Sequence, residues 1–188
     1  NFGGSGSYDP DGLHLFYPVR TIRRKNVLEA GALTRLISAM QERPCNLIVT
    51  LRGVSAGEQG YSTAVDGAFK SGLIPGLWGI GRKLDAAGIS FTELGRSCDM
   101  MISSSVQEGF GYLFIEALQW GLPLFARELD ILDGIRDCFD SGFGSSSGEF
   151  YRELRIPVST DEASRLRDQY RRKLALLSDH LPSNSLAR

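Results

Sequence analysis

The segment from Arg20 to Lys25 places four cationic side chains within six residues, directly after a short apolar run that ends in Pro18. Like charges this close repel one another, and a bound anion relieves that repulsion. A guanidinium such as that of Arg20 holds phosphate by forked hydrogen bonds, and an ammonium such as that of Lys25 acts as a point charge. The segment therefore predicts a diphosphate-binding loop, and the alternative is a solvated basic turn.

A second polar loop runs from Ser103 to Gly111, between a predicted strand and a predicted helix. Gly109 and Gly111 flank an aromatic residue, so the backbone can turn tightly near a ligand, and the following helix offers unpaired N–H groups. Glu108 precedes the glycines and Glu116 lies inside the helix, where each carboxylate can accept hydrogen bonds from sugar hydroxyls. The alternative for Glu108 is a charge complementing the helix dipole, and for Glu116 a solvent-facing helical residue.

The elements that position these loops alternate between strand and helix. Predicted strands cover residues 14–18, 46–51, 77–80, 99–103 and 122–126, and predicted helices cover 27–40, 64–70, 92–97, 112–120 and 159–178. The run at 46–51 is apolar and β-branched without alternation, which is typical of a parallel strand covered on both faces. This order predicts a Rossmann-like, doubly wound parallel α/β domain, in which ligands bind at the carboxyl ends of the strands.

Two of these elements carry more specific expectations. The apolar face of the first helix is predicted from three- and four-residue spacing at Val27, Leu28, Leu33, Leu36, Ile37 and Met40. The last helix opens with Ser159 and Glu162, a spacing that predicts a capping box. Residues 53–88 are rich in glycine and predict an irregular region with one helix and a possible strand.

The run from Glu108 to Glu116, EGFGYLFIE, resembles the E-x7-E region of retaining GT-B glycosyltransferases of the family 4 type. Gly121 and Pro123 follow it as they do in that family. Arg20 and Lys25 have the five-residue separation of the family's arginine and lysine after the first strand of the C-terminal domain. The resemblance covers roughly residues 13–145 and implies one half of a GT-B fold.

The resemblance also implies roles for individual residues. Arg20 and Lys25 are expected to hold the donor diphosphate, Glu108 and the glycine amides to contact the sugar, and Glu116 to contact the ribose. The implied catalytic residues are Arg20, Lys25 and Glu108. The implied donor-binding residues are Gly109, Phe110, Gly111, Tyr112 and Glu116.

The activity that the resemblance implies is transfer of a hexose from a nucleoside diphosphate sugar, linked to UDP, GDP or ADP, to an acceptor hydroxyl with retention of configuration. The scheme needs no metal and no other cofactor. The partner is an N-terminal domain of the same protein, so this chain alone is expected to be inactive. Two alternatives stay open: a sugar-nucleotide epimerase or hydrolase of GT-B architecture, and a non-catalytic interaction module that kept the fold.

The sequence departs from the family pattern in four places. Tyr17-Pro18-Val19 stands where a glycine usually precedes the arginine, and Leu51-Arg52-Gly53 replaces a glycine-rich turn. Ser104 stands where the family has proline, and residues 77–89 have no clear counterpart of the loop that frames the base. The base, the sugar, the acceptor and the oligomeric state are therefore left open.

Composition sets the remaining expectations. The 188 residues with a net charge of −1 indicate one globular domain and give no overall field that attracts nucleic acid. No apolar run is long enough to span a bilayer, so we expect a cytoplasmic protein with residues 1–12 as a linker, 13–180 as the domain and 181–188 as a tail. Metal ligation and general-base catalysis are not expected from Cys45, Cys98, Cys138, His14 and His180.

Overall fold

The computed structural model describes residues 7–140, 147–155 and 158–178. The chain forms two compact units, the first ending at Arg152 and the second beginning at Glu153. The predicted division into a linker, one domain and a tail stays a prediction, and residues 1–6 and 179–188 lie outside the described part. None of the helices in that part is long and apolar enough to cross a membrane.

The first unit is built on a parallel sheet. Its strands are β1 Leu13–Arg20, β2 Cys45–Leu51, β3 Gly76–Trp78, β4 Met100–Ser103, β5 Leu124–Arg127 and β6 Gly148–Tyr151. They lie in the order β3-β2-β1-β4-β5-β6, and every neighbouring pair is parallel. This is the Rossmann strand order, which reverses between β1 and β4. The predicted fold class, a doubly wound parallel α/β domain, is confirmed.

Helices connect and flank the strands. They are α1 Val27–Gln41, α2 Gln59–Lys70, α3 Gly81–Ala87, α4 Phe91–Arg96, α5 Tyr112–Trp120 and α6 Arg136–Asp140. Short 3₁₀ turns occupy Arg23–Lys25, Ala56–Glu58 and Asp130–Gly134. Helix α5 has the bounds that the sequence predicts, because Gly111 and Gly121 adopt left-handed backbone conformations at its two ends.

The buried face of α1 differs from the predicted apolar stripe. Leu28, Leu36 and Met40 are exposed, with 80% of Met40 accessible, whereas Gly31 faces the core. A Cβ atom at Gly31 would lie 2.4 Å from Ile74 Cδ1, so the helix lies too close to Ile74 for a side chain at that position. The other buried residues of this face are Val27, Ala30, Leu33 and Thr34.

The glycine-rich stretch is more regular than predicted. Helix α2 begins at Gln59, five residues before the predicted start at Ala64, and α3 occupies Gly81–Ala87, where no helix is predicted. Strand β3 is three residues long and pairs with β2. These elements bring the residues after β2 and β3 to the same sheet edge as the two polar loops.

The second unit contains α7, Thr160–Ser178. Its predicted capping box is confirmed: Glu162 N donates to Ser159 Oγ at 3.3 Å, and Ser159 N donates to the Glu162 carboxylate at 2.9 Å. These bonds pair backbone donors that the first turn of a helix leaves free.

Candidate functional site

The polar loops after β1 and β4 enclose a cavity of about 370 Å³ at the carboxyl edge of the sheet. The strand order reverses between these two strands, and the crevice at such a switch point is where open α/β sheets bind ligands. The cavity is lined by Pro18, Val19, Arg20, Arg24, Lys25, Glu108, Gly109, Phe110, Gly111, Tyr112, Leu113 and Glu116. The structure therefore brings all eight predicted site residues together, although they come from segments about eighty positions apart.

Lys25 and Glu108 form the central ion pair of this cavity. Lys25 Nζ donates to both carboxylate oxygens of Glu108, at 2.5 and 2.6 Å. The side chains are only 13% and 8% exposed, so little water screens the pair. The cation and the carboxylate, which the sequence analysis assigns to different groups of a donor, thus contact each other.

The backbone of Lys25 is fixed by hydrogen bonds from β1 and from the loop after β4. Its carbonyl oxygen accepts from Tyr17 Oη at 2.6 Å and from Ser104 Oγ at 3.3 Å. Tyr17 Oη also lies 2.8 Å from Ser105 Oγ, and burial raises the pKa of Tyr17 to about 12, which keeps its hydroxyl protonated. Val106 N donates to the Arg24 carbonyl, so the two loops are joined directly.

Arg20 is the last residue of β1, and its exposed side chain has no hydrogen-bond or ion-pair partner within the described part of the chain. Arg24, also exposed, lines the same cavity. Adjacent Lys25 is neutralised by Glu108, whereas these two guanidinium groups are available to an incoming anion. Forked hydrogen bonding suits such a group to phosphate.

The loop from Glu108 to Tyr112 forms the opposite wall. Gly111 has a φ of +67°, a conformation that favours glycine, and it directly precedes α5. The first N–H groups of a helix lack intrahelical acceptors and carry the positive end of its dipole. Phe110 and Tyr112 are 79% and 68% exposed, with ring centroids 5.8 Å apart at the cavity edge.

Glu116 lies one turn into α5 and lines the cavity, half-buried. Partial burial raises the pKa of its carboxyl group. No hydrogen-bond partner of this carboxylate occurs among the described residues, so it is free to accept from a ligand hydroxyl.

Replacing Glu116 with glutamine is expected to raise the free energy of unfolding at pH 7 by roughly 0.5 kcal/mol or less. A carboxyl whose folded pKa is raised stabilises the fold below its unfolded pKa, and that stability is lost as pH rises through the folded pKa. The gain in the variant should therefore vanish below about pH 4. Chemical denaturation between pH 4 and 8 measures it, and a variant equally stabilised at both ends would contradict the burial effect.

A second polar cluster borders the site and was missed by sequence reasoning. Glu29, in the first turn of α1, pairs with Arg127 at the end of β5 and accepts from Tyr151 Oη at 2.8 Å. Asn26 Nδ2 donates to the same carboxylate at 2.5 Å. Asn26 has a φ of +48° and directly follows Lys25, so the cluster fixes the backbone at the start of α1.

The cluster is largely withdrawn from water. Arg127 and Glu29 are 22% and 16% exposed, and Arg127 Nε is buried with no hydrogen-bond partner in the described part of the chain. Burial raises the pKa of Tyr151, whose ring lies 5.3 Å from the Arg127 guanidinium carbon. One feature of the sequence could have indicated this cluster. Arg127 follows directly on a predicted strand, and ligands of parallel sheets bind at the carboxyl ends of the strands.

The histidine and the cysteines that the structure describes, from which no chemistry is expected, do not line the cavity. His14, near the start of β1, is 2.8 Å from Tyr8 Oη and 3.7 Å from Asp99, at the opposite edge of the sheet. Cys45, Cys98 and Cys138 are free cysteines, and His180 lies outside the described residues. Within the described ranges, no group of three or more His, Cys, Asp and Glu side chains is arranged to hold a metal ion.

The fold and the cavity define a Rossmann-like α/β unit with a cationic and acidic crevice at its switch point. The chain is 30% identical over 166 residues to mannosylglucosyl-3-phosphoglycerate synthase of Petrotoga mobilis (strain DSM 10674 / SJ95). The alignment covers 88% of this chain but only 30% of that protein.

The chain matches none of the protein-family models with which it was compared. Among solved structures it is similar to the crystal structure of a GtfA/B complex, with a TM-score of 0.49 and 18% identity over 93% of this chain and 32% of that one.

Proposed function

We propose that this chain is the donor-binding part of a glycosyltransferase that transfers a hexose from a nucleoside diphosphate sugar to an acceptor hydroxyl. One observation carries the proposal: Arg20, Lys25, Glu108 and Glu116 line one crevice together with the glycine loop before α5. Cations suit the diphosphate, and the two carboxylates suit the hydroxyls of a hexose and a ribose. The chain is also similar in sequence to a synthase that is named after a mannosylglucosyl compound, and this similarity supports glycosyltransferase activity.

In this scheme Arg20 and the N-terminus of α5 receive the diphosphate, and Lys25 turns from Glu108 towards it. Charge grows on the diphosphate as the bond to the sugar C1 breaks, and preorganised cations stabilise that charge. Glu108 is then released to accept hydrogen bonds from the sugar. We further propose the family 4 type with its E-x7-E motif and retention of configuration, on the residues from Glu108 to Glu116.

The acceptor site is proposed to lie in another domain of the whole protein. The chain spans 30% of the length of its curated relative, which leaves room in such a protein for a second domain. The expected result is that this chain binds a donor nucleotide but transfers no sugar by itself.

Isothermal titration calorimetry with UDP, GDP, ADP and their sugar conjugates tests the proposal. One base is expected to bind, and Arg20→Gln is expected to weaken it by about ten- to a hundredfold, from about 1.5–3 kcal/mol for hydrogen bonds to a charged group. Arg23→Gln is the matched control, because Arg23 belongs to the same basic segment, faces Glu58 at 4.0 Å and does not line the cavity.

The outcomes separate the open alternatives. Equal weakening by both substitutions would indicate a general electrostatic effect rather than a diphosphate site. Absence of binding by every nucleotide would favour the non-catalytic interaction module. Hydrolysis or epimerisation of a bound sugar nucleotide would favour the other enzyme classes.

A further inference from the structure

We propose a binding site for a compact, uncharged aromatic molecule in a cavity of about 240 Å³ between the sheet and helices α3 and α4. The strands β1, β2 and β3 contribute one wall of this cavity, and the two helices contribute the other. None of the residues that line it also lines the crevice described above. Binding here is therefore independent of the proposed donor role.

The floor of the cavity is apolar. It consists of the buried side chains of Ile48, Leu77, Ile80 and Leu84, with the half-buried Leu94 at its side. Apolar cavities hold water poorly, because a water molecule finds few polar partners in them. An engineered apolar cavity of roughly 150 Å³ binds benzene, so this floor has room for a molecule of one or two small rings.

The lining carries no fixed charge. None of the Asp, Glu, Lys and Arg side chains in the described part of the chain lines this cavity. Cys98 contributes a thiol, and burial raises the pKa of that thiol to about 12, so it stays uncharged. A charged ligand would lose its hydration here, and no fixed charge would replace it. The cavity therefore suits a neutral molecule.

The rim of the cavity offers two hydrogen-bond acceptors. Tyr8 Oη lies 2.8 Å from His14 Nε2, and His14 Nδ1 lies 3.7 Å from an Asp99 carboxylate oxygen. Because this carboxylate favours the ring proton on Nδ1, Nε2 of the neutral ring accepts from the Tyr8 hydroxyl. Ser97 Oγ donates to the Leu94 carbonyl at 2.7 Å. Both hydroxyls thus use their protons inside the protein and present lone pairs to a ligand.

An apolar floor below an accepting rim selects an aromatic ring system that carries one N–H or O–H donor. Indole is a molecule of this class. Its rings suit the floor, and its N–H group can donate to the Tyr8 or Ser97 hydroxyl. A typical hydrogen bond changes affinity by about fivefold, so a molecule of the same shape without the donor should bind more weakly.

Methyl NMR of the full chain tests the site, with indole as the probe. We expect saturable shifts, and nuclear Overhauser effects from the indole protons, at the methyl groups of Ile48, Ile80 and Leu84. Met40 is the internal control for general adhesion to apolar surface, because its side chain is 80% exposed. Indole contacts at Met40 without contacts at the buried methyl groups would overturn the proposal, and so would the absence of any saturable shift.

A comparison with indene tests the hydrogen bond, because indene has the shape of indole with a CH₂ group in place of the N–H. Indole is expected to bind about fivefold more tightly than indene. Equal affinities would show that the rim forms no hydrogen bond with the ligand and would overturn the donor-bearing class.

A substitution that fills the cavity tests its location. Leu94→Trp places a larger side chain at the half-buried edge and should abolish the saturable indole shifts. Leu73→Trp is the matched control, since Leu73 is 60% exposed and does not line the cavity. Unchanged indole binding by a folded Leu94→Trp variant would contradict the site. If that variant does not fold, the Overhauser contacts in the unmodified chain decide the question.

Discussion

Replacing Lys25 with methionine is expected to lower the free energy of unfolding by about 3–5 kcal/mol and to abolish nucleoside diphosphate binding. The substitution leaves the Glu108 carboxylate, 8% exposed, without its cation. An unpaired buried charge is strongly destabilising, and the diphosphate loses a cation at the same time. Urea denaturation and calorimetry measure the two effects.

A double substitution separates structure from binding. Lys25→Met with Glu108→Leu removes both charges, and replacing a buried pair by apolar residues is often neutral for stability. The double variant should therefore recover most of the lost stability but none of the nucleotide affinity. If it bound nucleotide like the unmodified chain, Lys25 would have only a structural role.

Replacing Arg127 with methionine is expected to cost about 3 kcal/mol of unfolding free energy. Glu29 then keeps only its hydrogen bonds from Tyr151 and Asn26 while remaining 16% exposed. Because Asn26 adjoins Lys25, we also expect weaker nucleotide binding at a temperature where the variant is fully folded. Urea denaturation measures the free energy of unfolding, and calorimetry measures the nucleotide affinity.

Tyr151→Phe is the matched control for the Arg127 variant. It removes one hydrogen bond to Glu29 but leaves the ion pair intact, and should cost only about 1 kcal/mol. An equal loss of stability from the two substitutions would show that the charge of Arg127 contributes nothing beyond a single hydrogen bond.

The sheet was predictable because its central strands β1 and β2 are largely buried. Residues Cys45–Thr50 are all buried, and a continuous apolar run with β-branched residues has few alternatives in an α/β chain. Helix α3 and strand β6 were missed. Strand β6, sequence GEFY, and α3, sequence GRKLDAA, are too short to show a period, so pairing and packing rather than local pattern define them.

The candidate site was predictable where its residues are close in sequence. The basic segment and the glycine loop each show their chemistry within about ten residues, and the strand order then places them face to face. Arg127 lies 98 positions after Glu29 in the chain, and Tyr151 lies 122 positions after it. Nothing local links them, and only the adjacency of β5, β6 and the start of α1 brings them into contact.

Under the proposed donor role, the Lys25–Glu108 pair makes Glu108 a competitor of the donor diphosphate for Lys25. A free diphosphate must take Lys25 away from a carboxylate that gains nothing in exchange and is left buried. A sugar conjugate compensates Glu108 with its own hydroxyls. We therefore expect the crevice to bind the sugar conjugate more tightly than the spent nucleotide, which favours product release over product inhibition.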